Sequence, residues 1–384
     1  MTDRLEGVAN GAGVVRGAVA RGYEAVATAF AELPASNPDY AAQIAVYSSG
    51  IRVVDLWCGA GMDADSLLPI ASCTKGAAYV CAAVLAQAGE LDLDRTVGTY
   101  WPEFVAEGKA DTTVRQLLSH QAGLVGLEEG FRLVDLYDDR LLAARLALQR
   151  PYWRPGSAHG YHGFTIGALV GELVYRITGQ TLQAFYDTRI RRPRGIDLFV
   201  GLPEALDHRF VPLITPPASG SDDRLTAGSL RGVASAVPVA DPIQVHNSRE
   251  FRAAGPASSG GTASARGLAL LYASCLDPVG VQSPVITRAT AVEWAQIHST
   301  GHDLVMGRPS RFGLGFQLPG EERPYLSART FGHDGGGGCW GFADPRTGTA
   351  FGYTRRNVVS DRDESGALAR VVQECALEAK ERSR

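Results

Sequence analysis

Lysine is nearly missing from this chain of 384 residues. Of its 37 Lys and Arg side chains only three are lysines, Lys75, Lys109 and Lys380, so arginine serves wherever an ordinary surface cation is wanted. Other shortages bound the function. No run of 18 uncharged apolar residues occurs, which excludes a membrane-spanning helix. The first residues, MTDRLEGVANG, hold no apolar signal core, so a cytoplasmic location is the default expectation. Basic charge is not in excess either. The formal net charge is −4, which gives no electrostatic case for nucleic acid or an anionic membrane as partner. The one basic cluster, Arg189 to Arg194, reads as the solvated end of a helix. The six cysteines (Cys58, Cys73, Cys81, Cys275, Cys339 and Cys375) show no C-x-x-C spacing, which argues against a disulfide framework and a zinc site. What remains, 45% hydrophobic and 20% charged, is an ordinary globular composition for one elaborate domain or two lobes.

Against that scarcity Lys75 asks for a reason. It closes the tetrad Ser72-Cys73-Thr74-Lys75. Arginine stays protonated in a protein, whereas a lysine can lose its proton to burial and neighbouring positive charge and then act as a base. Ser72 stands three positions upstream, and in a helix over 73–89 the two side chains share one face, about one turn apart. The segment 76–88, GAAYVCAAVLAQA, supports that helix, which Gly89 closes. At its N-terminus the free N–H groups and the helix dipole disfavour an ammonium. An isolated S-x-x-K is equally an N-cap followed by a surface lysine, so the rest of the chain must decide. Cys73, one helical position from Ser72, should point elsewhere.

Along the chain, residues 16–33 read as an amphipathic helix. Residues 42–47 and 51–57 read as two strands around the turn Ser48-Ser49-Gly50. Helical periodicity follows over 112–120, 134–149, 164–178 and 181–191. Residues 211–262, rich in Pro, Ser, Gly and Ala, read as long surface loops. A helix at 263–275, strands at 329–332, 341–344 and 350–355, and a last helix at 364–381 complete the pattern. Strands at both ends with helices between them predict a sheet lobe from residues 1–85 and 271–384, with a mainly helical lobe, 86–270, inserted.

Two further segments bear on the tetrad. Trp153-Arg154-Pro155-Gly156-Ser157-Ala158-His159-Gly160-Tyr161-His162-Gly163 is a turn-rich stretch that delivers Tyr161 just before a helix. Phe331-Gly332-His333-Asp334-Gly335-Gly336-Gly337-Gly338 is a glycine run that no Lys-Ser/Thr follows and that opens no helix, so it is not a phosphate loop. Such glycines allow a backbone to approach a ligand closely.

With these residues the chain resembles the class C β-lactamase-like serine hydrolases, and within them the family VIII carboxylesterases. The resemblance covers nearly the whole length. It includes the hairpin before Ser72, LLSHQAGL at 117–124, PGSAHGYHGFTIGALVGELV at 155–174, RFGLGF at 311–316 and FGHDGGGGCWGFADP at 331–345. It implies an α/β (α+β) fold with a mixed, mainly antiparallel sheet flanked by helices, and an active site between sheet and helical lobe. It implies no cofactor and no metal.

What the resemblance implies for mechanism is acyl transfer. Ser72 attacks an ester carbonyl, Lys75 and Tyr161 accept and relay its proton, and the leaving alcohol takes the proton back. Backbone N–H groups of Ser72 and, carried over from the family's strand, Gly336 hold the oxyanion. His333, Gly335 and Trp340 are the further candidates for substrate contact. Tyr152 and Trp153 are read as acyl-pocket or core residues, and His120 as a structural, hydrogen-bonding histidine. No G-x-S-x-G elbow exists, so His333 is not read as a triad member.

Two departures favour a small-molecule ester over a β-lactam. Gly163 replaces the family's Asn in Tyr-x-Asn, and His333-Asp334-Gly335 stands for Lys-Thr-Gly, exchanging a permanent cation for an imidazole. An acyltransferase of the same fold, a β-lactamase or D-amino-acid peptidase, and an inactive ligand-binding module stay open as alternatives.

Overall fold

Seven strands drawn from the two ends of the chain build one antiparallel sheet in the computed structural model, which describes residues 6–7, 15–37, 39–214, 228–238, 241–359 and 363–382. They are β1 (Glu6–Gly7), β2 (Val15–Val19), β3 (Ala42–Ser48), β4 (Ile51–Cys58), β5 (Phe331–Asp334), β6 (Trp340–Asp344) and β7 (Thr349–Arg355), in the order β1-β2-β4-β3-β7-β6-β5. The two halves join where β3 pairs with β7 from Ala42↔Arg355 to Ser48↔Thr349. Alternation along β3 makes two cores from the one sheet. Ile44 and Val46 face a cluster with Phe342, Phe351 and Tyr353, covered by the helices Glu24–Ser36 and Asp363–Arg382. Ala45 and Tyr47 face the other way, toward the helix Ala265–Leu276. That helix lies very close to the sheet. A Cβ on Gly352 would stand 2.3 Å from the Ala265 carbonyl oxygen, so only glycine fits there.

Beyond the Ala265–Leu276 side stands the helical lobe. The helix Lys75–Gln87 is buried nearly all round and packs against Ile166–Thr178 and Leu182–Tyr186, while Asp139–Leu148 packs on Ile166–Thr178. Two small sheets tie this lobe to the large one. Leu68–Pro69 and Leu198–Val200 flank Gly261–Ala263, and Ser299–His302 forms a hairpin with Pro309–Phe312.

Several elements differ from the sequence expectation. Residues 16–33 are not one helix: Val15–Val19 is a strand paired with β4, and the helix begins at Glu24. In so Ala-rich a stretch, periods of 2 and 3.6 are hard to separate. The region 211–262 is only partly loop. Residues 215–227 and 239–240 lie outside the described residues. Among the described ones are three short helices, Leu230–Ala234, Pro242–Asn247 and Arg249–Ala254, whose N-caps Ser229, Asp241 and Ser248 each accept a backbone N–H. Ser229 and Ser248, two of the serines that suggested loops, are caps. The expected lobe boundary at 270 falls inside the helix Ala265–Leu276, which belongs with the sheet it covers.

Candidate active site

Ser72 sits in a 3₁₀ turn, Ala71–Thr74, that runs into the helix Lys75–Gln87. Ala71 has φ +44°, a left-handed conformation that costs a non-glycine residue energy and is held by its surroundings. The restraints are visible. Ile70 N–H donates to the Gly261 carbonyl at 3.0 Å, and the Thr74 hydroxyl accepts the Gly261 N–H at 2.8 Å while donating to the Ala71 carbonyl. Ser72 itself is partly exposed, so a reagent can reach it. Cys73 turns away: its thiol is buried and donates to the His333 carbonyl at 3.2 Å.

The Lys75 side-chain nitrogen lies 3.0 Å from Ser72 Oγ and donates to the Ser258 carbonyl at 2.7 Å. The side chain is wholly buried, and that desolvation pulls its pKa down to about 7, against the opposing pull of Cys73 and Asp334. Burial is therefore the largest cause, ahead of any neighbouring charge. Tyr161 Oη donates to the same Ser72 oxygen at 2.9 Å, and Lys75 Nζ stands 5.1 Å from the centre of the Tyr161 ring. The structure thus brings Ser72, Lys75 and Tyr161 together across 89 residues of sequence. Ser258, whose carbonyl completes the lysine's surroundings, carries no sequence signal, because a backbone oxygen is available from any residue.

Tyr161 is held by histidines. His120, at φ +62°, accepts the Gly160 N–H on its carbonyl and the His162 N–H on Nδ1, both at 3.1 Å. Its Nε2 therefore carries the proton and donates to Tyr79 Oη at 3.3 Å. His162 has the opposite tautomer, with Nδ1–H donating to the Gly160 carbonyl at 2.7 Å and Nε2 accepting the Leu124 N–H at 3.0 Å. Burial holds the His120 pKa well below the usual histidine range and brings that of His162 down to about 4, so both are neutral at physiological pH. Phe312 lies parallel to the Tyr161 ring, with centres 6.1 Å apart.

The glycine run closes the site from the sheet side. A Cβ on Gly335 would stand 2.4 Å from the Ile70 carbonyl oxygen, so this glycine lets the β5–β6 turn lie against the Ser72 turn. Gly335 is itself buried, and close packing against the Ser72 turn is what its position shows. Gly336 is exposed and stands over Ala71. His333 is buried, donates Nδ1–H to the Asp334 carbonyl at 2.6 Å, and has its ring 5.8 Å from that of Tyr161. Trp340 needs a larger correction. On β6 it pairs with Asp334, one position along from the His333↔Gly341 pair, and so projects from the opposite face of the sheet. There it packs on Phe342 and Phe351 under the Arg323 guanidinium. Tyr152 and Trp153 pack against Val125, Ala234 and Val305. A cavity lined by Leu142, Phe164, Val245, Phe251, Asp139 and His246 also includes Ser258, whose carbonyl accepts from Lys75.

A serine held between an amine and a phenol at a helix start, facing a glycine-rich strand, matches one established family. The chain belongs to the beta-lactamase family, which it matches over residues 26–373. Among curated proteins it is 30% identical to Esterase/beta-lactamase LipL of Mycobacterium tuberculosis, over 96% of this chain and 90% of that one. Among solved structures it resembles EstA from Arthrobacter nitroguajacolicus Rue61a, at TM-score 0.89 and 40% identity over 94% of this chain and 98% of the other. A family VIII carboxylesterase matches at TM-score 0.86 and 32% identity, over 94% and 99%. No helix among the described residues is long and apolar enough to cross a membrane.

Proposed function

We propose that this protein is a serine carboxylesterase that works through an acyl-enzyme on Ser72. The observation that carries the reading is the Ser72 hydroxyl set between a buried amine with pKa near 7 and a phenol, each within hydrogen-bond reach. The neutral Lys75 amine keeps a lone pair for the Ser72 proton while donating one N–H to the Ser258 carbonyl. Ser72 Oγ bonds to the ester carbonyl carbon, and its proton passes to Lys75 Nζ. The carbon–oxygen bond to the alcohol then breaks, and the alcohol oxygen takes a proton relayed through Tyr161 Oη. Water repeats the sequence in reverse to free the acid and restore Ser72. Backbone N–H groups of Ser72 and Gly336 are the proposed oxyanion donors. The exposed Gly336 beside the Ser72 turn supports that role.

Ester substrates are favoured because the position of the family's substrate-binding lysine holds the buried His333, and Gly163 offers no side-chain amide. A β-lactamase activity is the second reading, since LipL carries both descriptions in its name. A panel of p-nitrophenyl esters beside nitrocefin tests the choice. Short-chain esters are expected to give much the higher kcat/KM, and parity would overturn the preference. Ser72→Ala should abolish turnover and fluorophosphonate labelling. A cytoplasmic location belongs to the same proposal, supported by six buried cysteines that form no disulfide, which suit a reducing compartment.

A further inference from the structure

Three consecutive backbone amides position Tyr161, and they are anchored by two different parts of the chain. Gly160 and His162 donate to His120. The middle one, the N–H of Tyr161 itself, donates at 3.1 Å to Oδ1 of Asp303, a wholly buried carboxylate 142 residues downstream. The same oxygen accepts the N–H groups of Val305 and Met306 at 2.9 and 2.8 Å, and Oδ2 accepts the Ser310 hydroxyl at 2.9 Å. Ser310 is in turn 3.0 Å from His159 Nε2, and Leu304 N–H donates to the His159 carbonyl at 3.1 Å. Asp303 therefore joins the hairpin Ser299–His302/Pro309–Phe312 to the segment that delivers Tyr161. The same hairpin supplies Phe312, the ring parallel to Tyr161. A loop fastened only for stability has no need of a buried carboxylate aimed at the amide of the phenol that touches Ser72, since any polar group on either segment would close it.

We propose that Asp303 is a positioning residue of this active site: it fixes the backbone of Tyr161 so that the phenol stays within proton-transfer distance of Ser72 Oγ. The inference rests on the reading of Tyr161 as a proton relay. Displacing a reacting group by about 1 Å costs on the order of 100-fold in rate, so Asp303→Asn, which turns an acceptor oxygen into a donor amide, should cut kcat by about that factor and leave KM little changed.

A double-mutant cycle with Tyr161→Phe decides it, read as ester kcat with thermal unfolding recorded on every variant. If Asp303 acts through the Tyr161 hydroxyl, Asp303→Asn should cost little more once that hydroxyl is gone, because residues serving one function are strongly non-additive. Equal fold-losses from Asp303→Asn in both backgrounds would overturn the proposal while leaving the role of Tyr161 intact. Wild-type kcat in Tyr161→Phe alone would instead sink the relay and the proposal with it. Should Asp303→Asn not fold, Ser310→Ala, which removes one of the carboxylate's four donors, is put through the same cycle. A kcat loss that vanishes in the Tyr161→Phe background supports the proposal, and one that persists undiminished, or none at all, overturns it.

Discussion

Two of the three lysines are fully buried, and they are buried for different ends. Lys75 donates to the Ser258 carbonyl and touches the hydroxyl of Ser72, which solvent reaches. Lys109 donates to the carbonyls of Ala106, at 2.8 Å, and Gln149, over the Phe104 ring. Burial lowers both, Lys75 to about 7 and Lys109 to about 8. Rarity of lysine therefore marks two needs and not one. Both sites hold a compact amine donating to backbone carbonyls, a role the larger planar fork of arginine matches poorly. Only contact with a group that can lose a proton separates the base from the tie. An argument from lysine count alone points to Lys109 as strongly as to Lys75; Ser72 and Tyr161 distinguish them.

The largest test of that contrast is Lys75→Met. Removing a general base typically costs a factor of about 100 to 10000 in kcat, and the variant should fall at least that far in ester turnover. Its stability should move the opposite way. The unfolded chain holds its lysine proton up to pH 10.5, the folded protein only to about 7, so at neutral pH the native state bears a penalty that methionine removes. Net of the lost hydrogen bonds, the gain is about 1–3 kcal/mol, visible as a raised Tm. A Lys75→Met protein that melts lower than wild type would place Lys75 among the structural ties, with Lys109.

Lys109→Met should spare catalysis. It leaves the carbonyls of Ala106 and Gln149 buried without their donor, at about 1–3 kcal/mol each, against which the release of this lysine's own, smaller desolvation penalty counts, so stability should stay level or fall slightly, without the gain expected at position 75, while ester kcat stays near wild type. Thermal melts with kinetics on the same sample separate these outcomes. A large kcat loss at unchanged Tm would break the comparison.

That asymmetry explains what the sequence shows and what it hides. Ser72, Lys75 and Tyr161 are legible because their chemistry needs particular side chains at positions a motif can carry, and the strands Ala42–Ser48, Ile51–Cys58 and Thr349–Arg355 follow from their alternation, whereas Val15–Val19 does not. Ser258 and Asp303 are not legible. The first contributes a backbone oxygen, and the second is one of many acidic residues, meaningful only through a contact 142 residues away. Trp340 misleads for a related reason: adjacency to a glycine run says nothing about which face of a strand a side chain takes, and register with Asp334 sends it to the far core. The region 211–262 reads as loop because Ser, Asp and Pro mark helix starts as well as turns.

The pH dependence sharpens the contrast by a smaller factor. If Lys75 must be neutral to accept the Ser72 proton, log kcat/KM should fall with unit slope below pH 7 and level off above it, a tenfold loss per unit on the acid side. Stability should rise with pH through the window from about 7 to 10.5, where the unfolded chain still binds the Lys75 proton and the folded one does not. The Tm advantage of Lys75→Met should accordingly shrink between pH 7 and pH 9.5. Lys109→Met should keep the kinetic acid limb unchanged, since only one of the two amines meets substrate chemistry. An acid limb that moves in Lys109→Met would mean the two sites are coupled.

The smallest effect is expected at the third lysine. Lys380 is exposed near the end of the last helix and donates to the Arg346 carbonyl. It has neither a buried, compact site to fill nor a neighbour to deprotonate, so Lys380→Arg should alter stability by less than about 0.5 kcal/mol, the ordinary range for a surface change, and leave kcat alone. Its value is as the control for Lys75→Arg and Lys109→Arg. Arginine at 75 keeps the charge and cannot release it, so turnover should collapse, while arginine at 109 must force its fork between two carbonyls and should cost stability. If Lys380→Arg is as damaging as either, the scarcity of lysine reflects a general intolerance of the exchange, and the special standing of the two buried sites is lost. If it is silent, as expected, the losses at 75 and 109 belong to burial, and the kind of loss at each tells which lysine moves a proton.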